Sequence, residues 1–367
     1  MSIAPRPPAR PVGTIRDCHQ DDIHALLSLN GERFVSGSKD TRIKIWGQTS
    51  PQPRYAALAD AESAVATGYE HWVTCLARSK VEKTWFAGFR DGTIATYDID
   101  GNLLDTTYYE DPRPSHRSKS RNSLRILCFY NIVDTVFAIG TARFIHIADF
   151  SSGQLLRSFE AHRNDWVYCL SPIDNERLAV VIGEQLEVWQ RGETPLEWSH
   201  NSTVIHRQTG QTPHRGRGRA QRGRGRHPHA SPAQSRPHIS AIAHLSQRHL
   251  VAVSFDGKAK VVDIEHEQVV KTYTEHRGRA WSTAILDSSQ NLFATSADDR
   301  TIKIWDSRQS RSAATLGGHP GRVSSLLTLQ DHYIVAGSCP DDLRATEQRA
   351  LLAFWDLRAF LAPLSSS

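Results

Sequence analysis

The chain has 367 residues, a formal charge of +5 and a sequence pI near 9.0, with 39% hydrophobic residues. No apolar run is long enough to span a membrane, and so modest a hydrophobic content suits strands that alternate a core face with a solvent face. The five cysteines are odd in number and form no Cys-x-x-Cys pair, which argues against a disulfide framework and for buried thiols in a reducing compartment.

Residues 1–11, beginning Met1-Ser2-Ile3-Ala4-Pro5-Arg6-Pro7-Pro8, carry no apolar stretch of the kind a secretory signal needs and are expected to be a disordered Pro/Arg-rich tail. Val12-Gly13-Thr14-Ile15-Arg16 follows as a short strand of its own. From there one strand keeps returning. It is clearest as Arg42-Ile43-Lys44-Ile45-Trp46, Thr301-Ile302-Lys303-Ile304-Trp305-Asp306 and Leu352-Ala353-Phe354-Trp355-Asp356. Weaker copies are Thr93–Asp98, Phe144–Asp149, Leu186–Trp189 and Lys258–Asp263, which makes seven. The positions equivalent to the Trp are 46, 97, 148, 189, 262, 305 and 355, with steps of 41 to 73 residues. A unit of about 40 to 45 residues with occasional insertions is the period of a four-stranded propeller blade. The length alone suggests two domains, but closed all-β architectures run long as single units.

Each copy brings the rest of such a blade. An apolar stretch comes first, as in Trp166-Val167-Tyr168-Cys169-Leu170, and a small-residue strand follows, as in Phe34-Val35-Ser36-Gly37-Ser38. Six residues before the Trp-equivalent position stand Asp40, Asp91, Asp256 and Asp299, in the place of a hairpin turn whose carboxylate accepts local hydrogen bonds. His19, His162, His276 and His319 lie upstream of the first strand. Copies three and four have Ala142 and Gly183 where the turn Asp should be.

With these residues in view the chain resembles the WD40-repeat family. The resemblance implies a buried network of His, hydroxyl, Asp and Trp in each blade: His19, Ser38, Asp40 and Trp46 in the first, and His276, Thr295, Asp299 and Trp305 in the sixth. Ala297 replaces the hydroxyl nearest the sixth turn, and blades three and four are expected to rest mainly on apolar packing. A His and an Asp that recur once per blade read as scaffold and not as catalysts.

The implied fold is all-β, a single seven-bladed β-propeller. Its expected parts are blades one to four with an N-terminal closing strand over 12–200, a disordered Arg-Gly-rich arm over 201–237, and blades five to seven over 238–360. In this family the N-terminal segment usually supplies the outer strand of the last blade, which removes an exposed sheet edge. Residues 359–364 are the alternative source.

The arm holds Arg215, Arg217, Arg219, Arg222, Arg224 and Arg226 between glycines. Residues 201–237 carry +8 with no Lys and no acid, so the rest of the chain carries −3 and the basic pI belongs to this segment. Almost nothing there could be buried to offset the entropy of ordering. Two further insertions, 110–122 and 340–349, should emerge on the same face as the arm, because each follows a strand running toward that face. Aligning the inner strands puts Asp22, Trp72, Arg125, Trp166, His238, Trp281 and Arg322 at the mouth of the pore there, where Trp and Arg could anchor a protein partner.

Three readings of function follow. The first, implied by the family resemblance, is a non-enzymatic protein-interaction scaffold, a monomeric propeller within a larger complex. The second is an RNA-associated propeller, since Arg-Gly tracts make phosphate contacts and stack. The third is a substrate receptor of a cullin-type ubiquitin ligase, because Trp305-Asp306-Ser307-Arg308 and Trp355-Asp356-Leu357-Arg358 fit a WD-x-R pattern resembling the docking box read by the ligase's propeller-shaped adaptor, with Arg308 and Arg358 as the docking residues. There is no phosphate-cradling Gly loop with Lys, no nucleophile elbow and no His-Glu-x-x-His, so neither catalysis nor a cofactor is expected. His227-Pro228-His229 with His214 makes a poor metal cage. The expected setting is intracellular, cytoplasmic or nuclear, without a membrane.

Overall fold

The computed structural model describes residues 10–50, 54–61, 72–79, 83–108, 126–133, 135–141, 144–161, 165–194, 196–205, 238–287, 291–330, 332–339 and 349–358. They form seven four-stranded antiparallel sheets. The first blade is β2 (Ile23–Ser28), β3 (Arg33–Ser38), β4 (Ile43–Ser50) and β5 (Arg54–Ala61). The second is β6 (Val73–Arg78), β7 (Thr84–Phe89), β8 (Thr93–Asp98) and β9 (Leu103–Tyr108), and the third β10 (Cys128–Val133), β11 (Val136–Gly140), β12 (Phe144–Asp149) and β13 (Gln154–Glu160). Blade four is β14 (Val167–Pro172), β15 (Arg177–Ile182), β16 (Gln185–Arg191) and β17 (Trp198–Ile205); blade five is β18 (Ile239–His244), β19 (His249–Ser254), β20 (Ala259–Asp263) and β21 (Gln268–Tyr273). Blade six is β22 (Ala280–Asp287), β23 (Leu292–Ala297), β24 (Ile302–Asp306) and β25 (Ser312–Leu316). Blade seven joins β26 (Arg322–Leu329), β27 (Tyr333–Cys339) and β28 (Leu351–Asp356) to β1 (Gly13–Ile15).

The ring is therefore closed by the N-terminal segment, with Gly13 opposite Phe354, Thr14 opposite Ala353 and Ile15 opposite Leu352. The Cys18 thiol bonds the Ala350 carbonyl and Val12 N–H bonds Phe354 O, which fastens the start of the chain to its far end. Residues 359–364 lie outside the described residues, as do most of the tail and the three insertions. β17 runs through Asn201 to Ile205, so the first five residues of the expected arm are strand paired to β16.

All seven Trp-equivalent positions fall at one register. Trp46 faces Phe34, Tyr97 faces Trp85, Ala148 faces Phe137, Trp189 faces Leu178, Val262 faces Leu250, Trp305 faces Phe293 and Trp355 faces Ile334. These pairs are buried and sit between consecutive blades, so each sheet packs its apolar face on the next. Glycine at one second-strand position makes that packing possible. A Cβ on Gly37 would lie 2.4 Å from the Val73 side chain, and one on Gly337 would lie 2.9 Å from Ile23.

In six blades the inner strand skips one residue at its start, the register shifting between Ile23 and Ala25, Val73 and Cys75, Val167 and Cys169, Ile239 and Ala241, Ala280 and Ser282, and Val323 and Ser325. A bulge of this kind re-aims a side chain. The skipped residues are His24, Thr74, Tyr168, Ser240, Trp281 and Ser324. Ser240 donates to Ala280 O at 2.7 Å and Ser324 to Ile23 O at 2.7 Å, clamping each blade to its neighbour. Among the described residues His24, Tyr168 and Trp281 make no such bond to the next blade's backbone, and their rings enter aromatic contacts at the channel mouth.

Candidate functional site

The polar network of the first and sixth blades is built as the pattern implied, with one change. In blade six Trp305 donates to the Thr295 hydroxyl at 2.8 Å, Thr295 lies 2.8 Å from His276 Nε2, and His276 Nδ1 lies 2.9 Å from Asp299. In blade one the hydroxyl in that place is Ser36, not Ser38: Trp46 Nε1 and His19 Nε2 each reach Ser36 Oγ at 2.8 Å. Ser38 lies two residues further along β3, bonded to Asp21 O and Asp40 N–H. Burial opposes ionisation of Asp40, but the bond and charge of His19 with two backbone N–H groups hold its carboxyl below the usual range. This network is buried structure and offers nothing to a ligand.

Blades three and four are packed on buried apolar clusters and carry polar links of their own beside them. His146 Nδ1 reaches Ser158 at 2.8 Å in blade three, and in blade four Trp189 donates to the buried Glu187 at 2.9 Å. Each link runs along or beside the third strand, where no turn Asp is required.

The face that receives the inner strands is different in character. Here the turn between second and third strands bonds back to the residue ahead of the inner strand: Lys39 N–H to Asp22 O, Arg90 to Trp72, Gly183 to Trp166, Phe255 to His238 and Asp298 to Arg279, at 2.8 to 3.0 Å. Arg279, not Trp281, is thus the sixth member of the set, because Trp281 is the bulged residue two places on. Arg322 holds its place at the start of blade seven and forks onto Asp22 of blade one, Nε lying 3.2 Å from Oδ1. Arg125 lies outside the described residues.

Side chains on this face form a belt around the channel mouth. Trp166, 37% exposed, stands 5.9 Å from Tyr168. Tyr168 is 5.6 Å from His238 and 6.5 Å from Phe255, and Phe255 is 5.0 Å from Trp281. Arg279 lies over Phe255 at 5.7 Å and Arg322 over Trp281 at 5.5 Å. Across the mouth, Trp72 packs beneath Arg90 at 3.9 Å and Lys39 at 4.8 Å, with the His24 ring 6.3 Å away. The alignment of sequence repeats finds Trp72, Trp166, His238, Trp281 and Arg322 of this belt, Trp281 two places beyond the aligned position. It passes over Tyr168, Phe255, Arg279, Arg90 and Lys39, which become visible only once the bulge and the turn bonds are known.

The described strand ends that flank the three insertions lie on this face: 109–125 links β9 to β10, 206–237 links β17 to β18, and 340–348 links β27 to β28, and the insertions themselves lie outside the described residues. Arg215, Arg217, Arg219, Arg222, Arg224 and Arg226 lie outside the described residues, as do His214, His227 and His229. Among the described residues one group has donor atoms close enough for a metal, namely Asp21, Asp22 and Cys339. Its ligands are already engaged, Asp21 by Lys39 at 3.1 Å and Asp22 by Arg322, while burial pushes the Cys339 thiol up to about 12. The Cys18 and Cys75 thiols are likewise pushed up to about 12 by burial, so none of these offers a thiolate near neutral pH.

Arg308 and Arg358 sit on the opposite face, just after the third strands of blades six and seven. Arg308 forks onto Asp306 at 2.9 and 2.8 Å, and Arg358 onto Asp356 at 3.0 and 2.6 Å while also reaching the Tyr333 hydroxyl at 3.0 Å. Their side chains remain 60% and 64% exposed.

Seven closed four-stranded blades with recurring His–hydroxyl–Trp–Asp networks define a WD40-repeat β-propeller. The family description "WD domain, G-beta repeat" matches residues 9–47 and 267–306, the stretches that hold the two complete networks. The crystal structure of the WD40 beta propeller domain of Doa1 superposes with a TM-score of 0.67 over 95% of this chain and 97% of that one, at 13% identity. Curated relatives match in parts. Protein SPA1-RELATED 3 of Arabidopsis thaliana is 33% identical over 67 residues, 18% of this chain and 8% of that protein. The WD repeat-containing protein 55 homolog of Dictyostelium discoideum is 30% identical over 107 residues, 28% of this chain and 26% of its own length. Ribosome biogenesis protein YTM1 of Pyricularia oryzae is 30% identical over 134 residues, 35% of this chain and 26% of its own. No helix among the described residues is long and apolar enough to cross a membrane.

Proposed function

We propose that this propeller is a non-enzymatic, intracellular scaffold that holds protein partners on its loop-rich face. The belt from Trp166 to Trp281, interleaved with Arg279 and Arg322, carries the reading. Aromatic and Arg side chains supply most of the binding energy of protein interfaces where a partner desolvates them. The opposite face has its arginines already forked onto their own carboxylates, which leaves less to offer.

The test is affinity capture from a lysate, with Trp166→Ala against Arg308→Ala on the opposite face. Trp166→Ala should weaken capture of a direct partner by about 2 kcal/mol, near thirty-fold, with little change in melting temperature. Equal capture by both variants, or a Trp166→Ala protein that loses mainly stability, would sink the proposal.

A further inference from the structure

We propose that the blade-four to blade-six sector of the belt is a stacking platform for single-stranded nucleic acid. This platform shares a face with the protein-binding scaffold but does not depend on it. Trp166, Tyr168, His238, Phe255 and Trp281 form an unbroken run of rings, successive centroids lying 5.0 to 6.4 Å apart. Adjacent rings are tilted by 38° to 75°, so they do not close into one another's stacks as a core cluster would. Every base has a flat π face, so a row of rings of which Trp166 is exposed and the others are partly exposed accepts bases without regard to sequence.

Charge selects the occupant. Within the sector Arg279, over Phe255, has no carboxylate within ion-pair distance among the described residues, so one ring-backed guanidinium stands ready for an anion, and Arg90 over Trp72 offers a second across the mouth. Arginine meets phosphate through a planar fork, with geometry as well as charge. Residues 201–237, whose sequence ends one residue before His238, add +8 with no acid, and raise the local concentration of any polyanion at this sector. An acidic peptide would satisfy the cations but not a row of rings. A nucleic acid strand uses both.

The experiment is fluorescence anisotropy with the full chain and labelled oligouridine or oligodeoxythymidine of about twelve nucleotides, alongside inorganic polyphosphate as a base-free competitor. The paired variant Trp166→Ala with Tyr168→Ala should lose roughly ten-fold or more in oligonucleotide affinity while polyphosphate competes as well as against wild type. Replacing Arg215, Arg217, Arg219, Arg222, Arg224 and Arg226 by Gly should instead flatten the salt dependence, by about 0.7 in the log–log slope for every phosphate the arm no longer engages. Where the alanine pair fails to fold, Trp166→Phe and Arg279→Lys give the same comparison in milder form. Unchanged oligonucleotide affinity in the belt variants, or equal loss toward oligonucleotide and polyphosphate, overturns the inference. If those variants still bind nucleic acid but lose nuclease-resistant protein partners, the scaffold proposal stands and this one falls.

Discussion

In blade six, Trp305 and His276 meet on the Thr295 hydroxyl and Asp299 takes the other side of the ring. In blade seven, Ala336 occupies the place of Thr295, His319 turns to Ser338 at 3.3 Å, and both Trp355 Nε1 and His319 Nε2 lack a hydrogen-bond partner among the described residues. Trp305 and Trp355 are nonetheless equally buried, each 1% exposed. Burial of the indole, worth a few kcal/mol, is enough to form the blade; the hydrogen bonds add rigidity and remove the cost of an orphaned donor. Blade seven depends instead on a borrowed strand, since β1 supplies its outer edge.

The two blades part most sharply at that strand. Deleting residues 1–17 removes all three β1 pairings and leaves β28 as an open edge. The melting temperature should fall by on the order of 10 °C, with soluble aggregates on size exclusion. A truncated protein that melts and elutes like the full chain would show that closure by β1 is dispensable.

Exchanging the hydroxyls tests the network itself. Thr295→Val strips the shared partner from a buried Trp and a buried His and should cost about 3 kcal/mol in urea unfolding. Ala336→Ser places a hydroxyl beneath Trp355 and should stabilise by about 1 kcal/mol. Losses of similar size from both would mean that packing, and not the hydroxyl, distinguishes the blades.

Acid should find blade seven before blade six. Burial lowers His319 from 6.5 to about 4, so the folded protein keeps it neutral where the unfolded chain takes up a proton. Its contribution is intact above pH 6.5 and is lost as pH falls toward 4, about 3 kcal/mol in full. Burial works against ionisation of Asp299, but the bond and charge of His276 with the Arg277 N–H and Thr301 hydroxyl bring it down to about 2. Stability from Asp299 is complete above its ordinary value near 3.8 and declines only as pH drops toward 2. Urea midpoints between pH 4 and 6.5 should therefore slope in wild type and less steeply in His319→Leu, where burial of His24 and His244 leaves a remainder, and a slope unchanged by the substitution would assign it elsewhere.

The smallest effect is expected on the far face. Arg308→Ala and Arg358→Ala each break an exposed fork, and neither the melting temperature nor the captured partner set should change measurably. Loss of a propeller-shaped ligase adaptor from both variants would instead favour the cullin-receptor reading.

Much of this was legible in the chain. The recurring strand placed all seven third strands and their central residues, because a buried β position tolerates few side chains and repeats at the blade period. The polar quartet of blade six was readable from His276, Thr295, Asp299 and Trp305 alone. Blade one misled by two residues, since Ser36 and Ser38 lie on the same strand face and only register separates them.

The sequence by itself determined the blade count, the turn carboxylates and the concentration of positive charge in one segment, since each follows from local spacing and composition. Tertiary structure decided which residues meet at the channel mouth. A bulge of one residue advances the inner strand by half a side-chain period, turning Tyr168 and Trp281 toward the mouth while Val167 and Ala280 stay buried. Ring closure then sets Arg322 of the last blade against Asp22 of the first, 300 residues apart in sequence.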